Sequence, residues 1–215
     1  MKSAVAILSA SIVLWAGPAA ADCTSDVTAA FEKLRTSKSF RLETRIANAQ
    51  GKLKMTVDYM PPDRMHQRIR LDDQPQEMEM IVIGEKAWSN QGQGWVPLPE
   101  NFSSEVAKQV KTTLAGITQS QSSYRCKSED TIEGRAVAIY EADLVAPVEE
   151  AVGDKPGGAK KPEGPPNLQT LYIDKATGLP LRNVVTDAKD PSKQLYDGWF
   201  RTAEAVSINP PNDVR

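Results

Sequence analysis

From Lys52 to Pro99 apolar and polar residues alternate in four runs separated by turn-forming residues, the pattern of an antiparallel meander with one wet and one buried face. A strand precedes them, with Phe40, Leu42, Thr44 and Ile46 alternating with Arg41, Glu43 and Arg45. After a turn over Asn48–Gly51, Leu53, Met55, Val57 and Tyr59 face one side, and Lys52, Lys54 and Asp58 the other. Pro61-Pro62-Asp63 breaks the ladder, because proline donates no hydrogen bond.

The next hairpin gives a register. Met65, Ile69 and Leu71 face in; His66, Arg68 and Arg70 face out; Asp72–Pro75 turns the chain. A four-residue loop pairs Leu71 with Gln76, so Arg70 lies opposite Glu77, Arg68 opposite Glu79, and Ile69 meets Met78 inside. Such charge pairs contribute a few tenths of a kcal/mol each. A one-residue slip would turn the arginines inward, and that larger cost fixes the register. Ile81-Val82-Ile83 is apolar on both faces and predicts a strand end covered on both sides; Ala87-Trp88-Ser89 and Trp95-Val96-Pro97 follow as short strands.

Helical spacing appears twice. Val27, Ala30, Phe31 and Leu34 predict a helix over Thr24–Ser37, capped by Thr24 or Ser25. Phe102, Val106, Val110, Leu114 and Ile117 predict a stripe on a helix over Glu100–Gly116, with Glu105 early and Lys108 and Lys111 late, as the helix dipole favours. A hairpin follows, Tyr124–Asp130 and Ala136–Leu144, around Ile132–Arg135. Leu168–Asp174, Leu181–Asp187 and Gln194–Arg201 are the last strands, and Asn209-Pro210-Pro211 ends the sheet.

Composition then places the chain. Lys2, the apolar run Ala4–Trp15 and Ala19-Ala20-Ala21 make residues 1–21 a secretory signal peptide and the protein periplasmic. The run is too short for a membrane span, which needs about 20 apolar residues. Asp22, where a lipoprotein signal needs a small residue, argues against lipidation at Cys23; no later stretch could span a bilayer. The remainder, 22–215, is expected to be a single domain interrupted by a mobile loop at 147–166, PVEEAVGDKPGGAKKPEGPP, which is almost free of apolar residues. The net charge of −2 becomes −3 without Lys2, a mild balance that argues against nucleic acid. Cys23 and Cys126 are the two cysteines; an oxidising compartment favours one disulfide between them, two free thiols being the alternative.

The residues offer little for catalysis, and an enzyme is not expected. The one histidine, His66, alternates with arginines on a wet strand face, where a Ser-His-Asp arrangement has no place. One histidine and two paired cysteines leave a zinc site short of ligands, and no glycine-rich phosphate loop is present, so neither metal nor cofactor is implied. Glu77 and Glu79 read as partners of arginine rather than as a glycosidase pair. Asn101-Phe102-Ser103 matches a glycosylation sequon.

The buried face carries the more distinctive signal. Met55, Met65, Met78 and Met80 fall on it, with Trp88 and Trp95 nearby. One reading is a core that uses methionine as filler; the other is a curved sheet whose apolar side admits a lipid tail. Here a resemblance enters. "EMIVIGEKAWSNQGQGWVPLP" (79–99), "LYIDKATGLPLR" (171–182) and "YDGWFRTAEAVSINPP" (196–211), in that order, resemble the LolA/LolB-like periplasmic lipoprotein carriers. The resemblance implies an α+β fold: an incomplete, strongly curved antiparallel β-barrel with helices as a lid over its open side. It implies a binding or carrier protein for a lipid or for lipoprotein acyl chains. The expected lining is Leu42, Met55, Val57, Met65, Ile69, Met78, Met80, Val82, Trp88, Trp95, Val106 and Val110. One departure is Met60-Pro61-Pro62, where the carriers have an arginine before the proline that helps latch the lid; this narrows the implied function to binding a lipid or other hydrophobe. The alternative is an envelope-stress or interaction module that recognises another envelope protein without moving lipid.

Overall fold

A computed structural model describes residues 22–48, 51–74, 76–116, 123–144, 166–202 and 206–215. The expected signal peptide, Ile117, and all but the last residue of the expected loop at 147–166 lie outside these.

Helix α1 spans Cys23–Arg35 and α2 spans Glu100–Gly116. The strands are β1 Phe40–Asn48, β2 Gly51–Met60, β3 Arg64–Leu71, β4 Glu77–Ile83, β5 Lys86–Asn90, β6 Trp95–Pro97, β7 Arg125–Cys126, β8 Asp130–Ile132, β9 Arg135–Leu144, β10 Asn167–Asp174, β11 Pro180–Thr186 and β12 Gln194–Arg201. They form one antiparallel sheet in the order β6-β5-β4-β3-β2-β1-β12-β11-β10-β9-β7, with β8 also on β9. The ends β6 and β7 do not pair, so the sheet is unclosed. It is nonetheless strongly curved. Eleven strands abreast would span roughly 50 Å if flat, whereas the two helices are roughly 20 and 25 Å long. Yet Met65 and Val82 from one half share one core with Tyr140 and Ile173 from the other, beneath both helices.

The predicted hairpin register holds: Arg70 faces Glu77, Arg68 faces Glu79, and Ile69 faces Met78. The ion pairs themselves differ. Arg68 turns to Asp58 on β2, Nη2 to Oδ2 at 2.6 Å, and shares it with Arg41, Nε to Oδ1 at 2.6 Å. Asp58 is buried, and two guanidiniums compensate its desolvation better than one. Glu79 is left to His66 (2.9 Å) and Asn90 (3.3 Å). Between β8 and β9, Glu133 and Gly134 both take positive φ, 51° and 75°, the two-residue turn whose twist suits a hairpin.

Both helices correct the sequence reading. α1 starts a residue early because Asp22 caps it, its carboxylate accepting from the Thr24 N–H at 3.2 Å. Thr24 Oγ1 instead accepts the Tyr124 N–H at 3.1 Å. On α2 the buried stripe is Ser103, Ala107, Val110 and Leu114, while Phe102 is 61% exposed. The small residues let the helix lie close to β4 and β5, where it packs, and the Ser103 hydroxyl donates to the Leu98 carbonyl at 3.1 Å. Lys108 and Lys111 do not reach the last turn, which holds no basic residue. The sequon lies inside this helix with its serine buried.

The sheet does not end at Asn209–Pro211. Ile208 is buried and its carbonyl accepts from Arg64 Nη1 at 3.1 Å; Val214 then bridges in parallel to Trp95, and the Arg215 N–H donates to the Trp95 carbonyl at 3.0 Å. Arg64 points away from the helices, so residues 206–215 cross the convex face and cover the outer edge of β6, a segment that would otherwise offer unpaired backbone.

The cysteines form a disulfide that joins the start of α1 to β7, with a Cα–Cα distance of 5.4 Å. Replacing both by serine should lower the free energy of unfolding by about 2–5 kcal/mol, as for a bridge closing a loop of this length. Chemical denaturation of the double variant against the oxidised protein measures it.

Candidate functional site: the concave face of the sheet

Because every strand pair is antiparallel, with register shifts only after Tyr172 and after Val185, concave-facing residues line up in rows across the sheet. A first row runs Ala87, Val82, Met65, Tyr59, Phe40. All five are buried, none more than 7% exposed, so the helices seal this row. A second runs Ser89, Met80, Gln67, Val57, Leu42, Phe200. A third runs Met78, Ile69, Met55, Thr44, Gly198, Asn183, Leu171, Tyr140. A fourth runs Leu71, Leu53, Ile46, Tyr196, Val185, Gln169, Ala142. Along the fourth row every residue but Ala142 keeps some accessible surface. Met78, at the end of the third, is 37% exposed. The helical cover thus stops partway across the concave face and leaves a trough floored by Met55, Ile69, Met78 and Met80.

A groove of about 160 Å³ lies at one end of this trough, lined by Gln67, Ile69, Met78, Glu79, Met80, Ser89 and Gln91, with the Glu79 carboxylate held by His66 and Asn90. The Gln67 amide donates to the Met55 thioether at 3.0 Å and holds that side chain across the floor. A larger cleft, about 500 Å³, opens beside Trp88, Pro97 and Leu98 at the start of α2. Glu85, Lys86 and Glu100 line it, so it lacks a continuous apolar wall. The methionine groove is the better candidate for an apolar ligand.

The expected lining residues divide into three groups. Val57, Met65, Val82 and Val110 are buried under the helices as core. Leu42, Met55, Met80 and Val106 are partly buried against that core, and Ile69 and Met78 complete the open floor. Trp88 and Trp95 do not belong: Ala87 faces the helices, so Trp88 on the next residue turns to the convex face. Trp95, opposite Asn90, does the same, and its ring lies 6.2 Å from that of His66. His66 is therefore on the far side of the sheet from the trough, hydrogen-bonded to Glu79. Trp199 is also convex, with the Arg182 and Arg201 guanidiniums each 4.8 Å from its ring.

Sequence reasoning missed a polar patch in the middle of the floor. Gly198 carries no side chain, and the Tyr196 ring lies over it; a Cβ at position 198 would come within 2.5 Å of the Tyr196 hydroxyl. A glycine inside a strand is the signal that could have revealed this close approach. On the other side of Gly198, Asn183 Oδ1 accepts from Gln169 Nε2 at 3.0 Å, and Gln169 Oε1 accepts from the Tyr124 hydroxyl at 3.0 Å. Burial pushes the Tyr196 phenol up to about 12, helped by the nearby Tyr59 and Asp197. Tyr140, whose hydroxyl donates to Asp26 at 3.1 Å, is likewise raised to about 12, by burial and then by the Asp26 charge.

The raised phenols set an alkaline limit. In the unfolded chain tyrosine ionises near its ordinary value of 10.0, while the folded protein holds these protons until about 12. The unfolded state loses protons first, so stability should be full below pH 10.0 and fall as the pH rises towards about 12. Denaturation midpoints measured across that window should drop, and the drop should be shallower in Tyr196→Phe.

No family model matches this chain, and no curated protein does. Solved structures do. LprF from Mycobacterium bovis aligns with a TM-score of 0.55 at 14% identity, over 88% of this chain and 96% of that one. The Mycobacterium tuberculosis lipoprotein LppX aligns with a TM-score of 0.54 at 14% identity, over 89% of this chain and all (100%) of the other. The MucA/MucB complex of Pseudomonas aeruginosa matches at a TM-score of 0.48 and 16% identity, over 87% of this chain and 59% of that one. At these identities the likeness is one of fold. An unclosed antiparallel sheet, curved around helices on its concave side and shared with LprF and LppX across almost their whole length, gives this chain the LolA-like fold.

Proposed function

We propose that the protein is a periplasmic carrier that holds the acyl chain of a lipid or an acylated lipoprotein in the trough between the curved sheet and its helices. The observation that carries this reading is the exposed end of the concave face. There Met55, Ile69, Met78 and Met80 form an apolar floor that the helices leave partly open. Methionine suits such a floor, because its unbranched, polarisable side chain adapts to irregular apolar partners.

The magnitudes are sufficient. Burying about ten methylenes at about 0.8 kcal/mol each gives about 8 kcal/mol, the scale of a micromolar Kd before the costs of association. From Met78 on β4 to Asn183 on β11 the third row covers five strand spacings, roughly 24 Å along the arc. In the same reading residues 1–21 direct export and residues 22–215 act as one domain. The sheet works without a catalytic step.

Native mass spectrometry of the gently purified protein should show a bound lipid mass. Met78→Asp places a charge on the half-exposed floor and should remove that mass. Its cost in stability should stay near or below 1 kcal/mol, because the site is partly exposed. A wild-type protein with no bound lipid that instead retains one envelope protein would favour the interaction-module reading. Unchanged lipid in Met78→Asp would place the ligand elsewhere.

A further inference from the structure

The third and fourth rows contain no charged residue, and their middle is polar. Thr44, Gly198 and Asn183 are neighbours in one row, and Tyr196 folds over Gly198 from the next. The Thr44 hydroxyl is spent on the Met55 carbonyl at 3.1 Å. The side-chain oxygen of Asn183 is spent on Gln169. Among the described residues, the Asn183 amide N–H groups and the Tyr196 hydroxyl have no protein partner, and neither is a sealed, unsatisfied group. Two neutral donors therefore flank Gly198, where the ring of Tyr196 fills the space left by the missing side chain.

We propose that Tyr196 and Asn183 form a neutral anchor for the carbonyl oxygen of an acyl ester or amide, so that the trough selects acylated ligands over free fatty acids and plain hydrocarbons. This rests on the carrier reading and sharpens it. The donor groups call for an acceptor, which an ester or amide carbonyl supplies and an alkyl chain does not. The missing counter-charge argues against a carboxylate, whose desolvation nothing in these rows would offset. At one end of the third row the Asp26 carboxylate, held on the Tyr140 hydroxyl, adds further repulsion for an anion. Burial keeps the Tyr196 phenol protonated, and so a donor, well beyond neutral pH. The two donors give the ligand a direction, its carbonyl between Tyr196 and Asn183 and its chain towards the open floor at Ile69 and Met78.

The test compares three probes of equal chain length on the full chain: monopalmitoylglycerol, its hexadecyl ether analogue without the carbonyl, and palmitate. Each displaces a fluorescent apolar dye. The ester should bind about tenfold tighter than the ether, the scale of two neutral hydrogen bonds net of water, and palmitate more weakly than the ester. Tyr196→Phe, which keeps the ring over Gly198, should cut the ester's advantage to about threefold and leave ether binding unchanged. Equal ester and ether affinities in the wild-type protein would overturn the anchor while the trough stands, as would a full ester preference in Tyr196→Phe or palmitate binding as tight as the ester. If no probe binds, the carrier reading falls as well, and the anchor with it.

Discussion

The pairing of β1 with β12 is the constraint on which the architecture depends. It joins the meander β1–β6 to the later strands β9–β12, and six consecutive residue pairs, Arg41 with Arg201 through Ile46 with Tyr196, fix it. Without that seam the protein would be two small sheets, each with an exposed edge and half a core. With it, one row of side chains runs from Met78 to Tyr140 without a break in register. The seam also forces Thr44 against Gly198, which gives the trough its polar middle. Its ordering cost is high, since it closes most of the chain into one loop; the disulfide between Cys23 and Cys126 offsets part of that by tying α1 to the second half.

The two faces of the sheet do different work because alternation along each strand separates their chemistries. The convex face is charged and tied down: Asp58 sits between Arg41 and Arg68, Asp197 accepts from Arg182 at 2.8 Å, and residues 206–215 cross over it to cover β6. Such contacts rigidify the sheet. The concave face is apolar and only partly covered. A rigid back with an adaptable floor suits a container for a flexible chain, because the frame need not distort to admit it.

Much of this was legible in the sequence, and the reasons are local. Strand existence and the β3–β4 register follow from alternation, since a slip would bury Arg68 and Arg70. The later strands were equally clear from Leu171, Ile173 and their polar neighbours. What failed was orientation where several answers were apolar. Phe102 looked like a core residue, but Ser103 and Ala107 win the inner face because they permit closer helix–sheet approach. Trp88 and Trp95 looked like lining residues, but Ala87 takes the inward position. The Tyr196–Gly198–Asn183 patch was out of reach for another reason: it exists only through the pairing of strands distant in sequence, and no local pattern specifies which ones meet. The convex path of residues 206–215 is similar, depending on Arg64 capturing the Ile208 carbonyl from far along the chain.

The claim that matters most is that an alkyl chain lies on the half-covered side of the sheet. Photocrosslinking with an acyl probe carrying a diazirine near its terminus, followed by peptide mapping, locates it directly. The account predicts label on the segments carrying Met55, Ile69, Met78 and Met80. Label confined to the convex residues Trp88, Trp95 and Trp199, or to the charged cleft at Glu85 and Lys86, would contradict it.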